Sequence, residues 1–171
     1  MALALVAIAL GPLGQLLASA QRAARAARER AVCGLLAAQK LEQLKSGRWS
    51  TSSVGAPLTE AATDFSAEDA ASPGGDGLAA SPPGSLGADC PGYVDYVDEL
   101  GRWAGAGPSP PGKAVYTRRW SIEPLPADPA NTLVLRVVVF AHGCGASASD
   151  PRGPSVPDGA RLLTMRTRYS P

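Results

Sequence analysis

Serine, cysteine and aspartate are available for chemistry in this chain, but a nucleophile needs a base held beside it. His142 is the chain's one histidine, which removes most His-based metal sites and the commonest general base. His142 and Cys144 form the one suggestive base–nucleophile pair. Two positions apart at a strand end, however, they have no third group to orient the base. Asp95, Asp98 and Glu99 offer oxygens for a hard cation but lack the spacing of a calcium loop. The runs GPLGQ and GGDGLA lack the Lys-Ser/Thr that completes a phosphate loop. A net charge of +1 leaves no chain-wide basic field for nucleic acid. The expectation is a protein that is not an enzyme, with no catalytic residue, no cofactor, no metal and no nucleic-acid partner.

The elements that position these groups begin with MALALVAIALGPLGQLLASA, residues 1–20, which hold no charge. As a helix the run rises about 30 Å, the thickness of a bilayer's hydrocarbon core. Ala18-Ser19-Ala20 suits cleavage of a secretory signal, but no basic residue precedes the apolar run. A helical pattern continues past Ala20, which favours a retained membrane or filament-core helix. Ala4, Ala7, Gly11, Gly14 and Ala18 recur at steps of three and four, a small-residue face that lets another helix come close. Residues 21–47 contain no proline and read as an amphipathic continuation of the helix. Val32, Leu35, Leu36, Leu41 and Leu44 form its apolar stripe, Arg22, Arg25 and Arg28 share one side, and Gly47 ends it. The whole element would be about 67 Å long.

Residues 47–112 hold 12 Gly and 8 Pro, so the region 48–112 reads mainly as loop. Charge divides along the same lines, with +5 over residues 21–48, −8 over 49–112 and +4 over 113–171. The acidic block is either a solvated spacer or a surface that recognises a basic partner. Within it, Tyr93, Val94, Tyr96 and Val97 favour a short strand, and 99–101 a turn. Residues 113–171 read as an antiparallel sheet head, with strands at 114–122, 132–140 and 161–168. Three short strands need a cover, and the helix stripe is the one long candidate. Trp120 and Ile122 are therefore expected against Leu36 and Leu41, in an α+β fold. Cys90 and Cys144 lie in loop-rich segments and are candidates for a disulfide in an oxidising compartment, whereas Cys33 falls in the helix.

An apolar N-terminal helix, an extension ending in AAQKLEQLKSG, a variable loop and a terminal meander containing YTRRWSIEPL resemble the type IV pilin-like family. The nearest types are minor pilins of the pilus-modification kind and minor pseudopilin I of type II secretion. The resemblance implies a single-pass bacterial inner-membrane protein with its head outside the cytoplasm. Such a protein assembles with other pilin or pseudopilin subunits to initiate, cap or decorate a filament. The family's Gly-Phe-Thr-Leu-x-Glu processing motif, where cleavage and methylation occur, would precede ALALVAIAL. The sequence starts at Met1, inside that helix, and a start downstream of the natural one is the expectation. The alternative is a secreted or membrane-anchored binding domain whose N-terminus is a generic anchor or signal.

Overall fold

The computed structural model describes residues 2–47, 49, 65–66, 77–142 and 159–168, with helix side chains described from Gly14 on. The fold is α+β: one helix, α1 (Ala2–Ser46), followed by β1 (Val94–Val97), β2 (Trp103–Ala106), β3 (Tyr116–Pro124), β4 (Thr132–Ala141) and β5 (Ala160–Thr167). The strands form one antiparallel sheet in the order β2-β1-β3-β4-β5. Two of the five lie within the Gly/Pro-rich region 48–112: β1, where a short strand is expected, and β2. β2 gave no signal because Trp-Ala-Gly-Ala has little strand propensity. It is held by pairing with β1 across a bulge between Tyr96 and Val97.

The C-terminal part of α1 covers β3, β4 and β5. Cys33, Leu36, Ala37, Leu41 and Leu44 pack with Val97, Tyr116, Trp120, Ile122, Leu133, Leu135, Val137 and Val139 in one buried cluster. These strand residues alternate along β3 and β4, so one sheet face meets the helix. The helix stripe is rotated from its expected position: Leu35 is 73% exposed, and Lys40 takes a core position at 1%. The opposite sheet face is also covered. Leu86 lies over it against Val138 and Phe140, while Ser81 pairs with the backbone of Ile122 and Leu78 joins the helix-side core. That is why both faces of β3 are buried, where strand alternation alone leaves one face open. Phe65, from the acidic block, plugs the end of the core beneath Gly47. A Cβ at Gly47 would stand 2.7 Å from the Phe65 ring, so the helix stop is also a point of close approach.

The first half of α1 stands apart from the head. Residues 14–25 and 27–31 are exposed, including Leu16 at 64% and Leu17 at 63%. Among the described residues no helix is long and apolar enough to cross a membrane. From Gly14 on, Gln15, Gln21 and the arginines interrupt the apolar run. Because the hydrophobic core between helix and sheet draws on helix residues from Val32 on, removing residues 1–22 should leave a cooperative melt. Removing residues 1–47 should abolish that melt, because the helix face of the sheet would lose its cover. Thermal unfolding followed by circular dichroism distinguishes the two.

Candidate functional site

Two features of α1 stand out: a buried ionic centre that fixes the helix to the head, and the exposed helix beyond it. The centre is built around Asp95 on β1, which is fully buried. The antiparallel register places Arg118 of β3 opposite Asp95. The Arg118 Nε donates to Asp95 Oδ1 at 2.6 Å and its Nη2 to Oδ2 at 2.8 Å, a two-pronged pair. From the helix, Lys40 Nζ donates to Asp95 Oδ2 at 2.9 Å and to the Phe65 carbonyl. The same ammonium lies 3.9 Å from the centroid of the Trp120 ring. Arg118 Nη1 reaches Gln39 Oε1 at 3.4 Å. One carboxylate thus gathers two cations and ties together α1, β1, β3 and the segment at Phe65. Its partners are spent on each other, which makes it a structural clamp.

Composition concealed this centre. Lys40 reads as a solvated helix residue and Asp95 as part of an acidic loop. The available signal was positional: Lys40 falls seven residues after Cys33 and four before Leu44, on the buried face. The three acids considered for a cation do not converge. Asp95 points to Lys40 and Arg118, and Asp98 Oδ1 accepts from its own turn's Leu100 and Arg102 amides, both at 2.9 Å. Glu99 lines a groove beside the helix. Among the described residues no group of three metal-ligating side chains comes together.

Of the sequence-derived positions, Leu36, Leu41, Trp120 and Ile122 lie in the one buried cluster between helix and sheet. Gly14 has open space around it, and Ala18 is exposed. The side chains at Ala4, Ala7 and Gly11 lie outside the described residues, as does Cys144. Cys90, its candidate partner, is half-buried. The acids Glu60, Asp64, Glu68, Asp69 and Asp76 of the −8 block also fall outside the described residues.

His142 lies on the sheet face away from the helix. Its Nε2 is 3.3 Å from Thr117 Oγ1, and its ring stacks 6.0 Å from Tyr96 at 30°. Desolvation lowers its pKa from 6.5, opposed by the Asp89 charge and reinforced by Arg119. The fold therefore favours the neutral ring. Its small stabilising contribution is complete above pH 6.5 and is lost as pH falls through the unfolded value toward the folded one. A titration of the His142 ring protons by NMR should give a midpoint below 6.5 in the native chain and the ordinary value in denaturant. Burial also pushes the Tyr96 hydroxyl up to about 12, aided by the Asp89 charge, and raises those of Tyr93 and Tyr116.

Comparison with protein-family models, curated proteins and solved structures gave no match.

Proposed function

We propose that this chain is a structural filament subunit of the minor pilin or pseudopilin kind. The observation that carries the reading is the division of labour along α1. One unbroken helix of 45 residues joins the head's hydrophobic core from Val32 on, and its side chains from Gly14 to Arg25 are exposed. A projecting helix with exposed leucines and a small-residue stripe is poorly stabilised alone in water, because helices draw most of their stability from packing. Lipid or neighbouring helices would supply that packing. In this reading residues 1–20 rest in the bacterial inner membrane before assembly, and the head lies outside the cytoplasm. The same residues later enter a bundle formed with other subunits.

The test is site-specific photo-cross-linking of the full-length chain in detergent micelles, with a photoreactive residue at position 18 or at position 46. Position 18 should give a ladder of cross-linked subunits, and position 46, on the head, only background. A chain that stays monomeric with the cross-linker at position 18, while its head melts cooperatively, would sink the proposal.

A further inference from the structure

We infer that the end of the helix–sheet core beneath Gly47 is a peptide-binding socket, which the chain fills with its own Phe65 as a tethered ligand. Its ligand class is an aromatic side chain together with the backbone carbonyls beside it. The inference goes beyond the subunit reading and does not depend on it. Phe65 is 4% exposed and Ser66 3%. Lys40 and Trp103 read this pair through its backbone. Lys40 Nζ donates to the Phe65 carbonyl, and Trp103 Nε1 to the Ser66 carbonyl at 2.9 Å. The ring itself shares the buried cluster with Leu44 and Leu78 and lies against Gly47.

The socket is shaped by contacts that do not involve its occupant. Lys40 is held by Asp95 at 2.9 Å and by the Trp120 ring, and Trp103 by the pairing of β2 with β1. The Gly47 carbonyl accepts from Arg166 of β5. Gly47 is part of the shape. Its φ lies outside the left-handed region, so its backbone does not call for glycine. A Cβ there would stand 2.7 Å from the Phe65 ring and 3.0 Å from Leu78, so what glycine supplies is room. The occupant is distinctive as well. Between Leu58 and Leu78 Phe65 is the one large apolar residue, and Asp64, Glu68 and Asp69 adjoin it in sequence. Both bonds from the socket end on backbone oxygens, which any peptide offers. Lys40 and Arg118 set two positive charges against the one carboxylate of Asp95, and that surplus favours carbonyl acceptors in an acidic sequence. Tethering places a ligand at roughly millimolar effective concentration. An acidic, aromatic-bearing peptide from another chain must therefore displace Phe65 to enter, and the chain's own segment acts as a built-in competitor.

The test is NMR of the full-length chain in detergent micelles, following the Trp103 indole N–H, which a Trp103→Phe variant assigns. Phe65→Ala should keep a cooperative melt and move that resonance to the position of an indole bonded to water. A synthetic peptide of residues 59–71 should then return it to its native position in a saturable titration. The same peptide carrying Phe65→Ala should not. The native chain, its socket already filled, should show no shift with either peptide. Gly47→Ala added to Phe65→Ala should weaken peptide binding at least about fivefold, the lower end of what overpacking costs. A Phe65→Ala chain without a cooperative melt means that the socket has no shape of its own, and it overturns the inference. So does a folded Phe65→Ala chain that ignores the peptide at roughly millimolar concentration. Equal peptide binding by the native chain, or by the variant with alanine at position 47, also overturns it.

Discussion

Replacing Asp95 with alanine is expected to destabilise the head by about 3–5 kcal/mol. The substitution leaves Lys40 and Arg118 buried together with no carboxylate between them. Breaking a buried ion pair by removing one partner costs about 3–5 kcal/mol. That is a large part of the roughly 5–15 kcal/mol by which an ordinary domain is stable. Lys40→Met should cost much less. It keeps the two-pronged pair between Arg118 and Asp95 and removes the surplus cation, leaving the Phe65 carbonyl short of one donor, a loss of roughly 1–3 kcal/mol. Urea unfolding of the full-length variants measures both. An Asp95→Ala protein as stable as Lys40→Met would show that Asp95 does not hold the centre together.

The second large effect concerns assembly. Gly14→Leu should eliminate the cross-linked ladder from position 18 while leaving the head's melt unchanged. Among the described residues nothing beyond the helix's own neighbouring backbone lies within 4 Å of a Cβ at Gly14, so the substitution meets no clash there. Leucine is also a better helix former than glycine, so the helix itself gains stability. The one thing lost is the flat surface that lets a second helix approach closely. Gly14→Ala, which adds a single methyl group, should retain most of the ladder. An undiminished ladder from Gly14→Leu would mean that the small-residue stripe is not a packing surface.

Much of this architecture is written in local pattern. An uninterrupted run of Ala, Leu, Gln, Glu, Lys and Arg without proline between residues 21 and 46 specifies helix, because propensity summed over many residues outweighs any single position. The β-branched run at Thr132–Ala141 specifies strand for the same reason. The turn at Glu99 to Gly101 was legible because glycine and a preceding aspartate do local work, independent of what lies across the fold.

What the tertiary structure decided is everything that depends on one distant segment lying against another. Trp103–Ala106 is a strand only because β1 offers it a ladder. Leu86, within a stretch rich in proline and glycine, covers a sheet face because it finds Val138 and Phe140 there. Lys40 and Asp95 are 55 positions apart, and each alone has the composition of a solvated residue. Their burial follows from the helix rotating Leu35 outward and Lys40 inward, where a carboxylate and an aromatic ring already wait. Propensity and periodicity act over a few neighbouring residues, whereas desolvating a charge is favourable only when its partner arrives from elsewhere in the chain. The sequence by itself determined a long helix and the main strands of a sheet; only the assembled fold determined which helix face the sheet would take and which charges it would enclose.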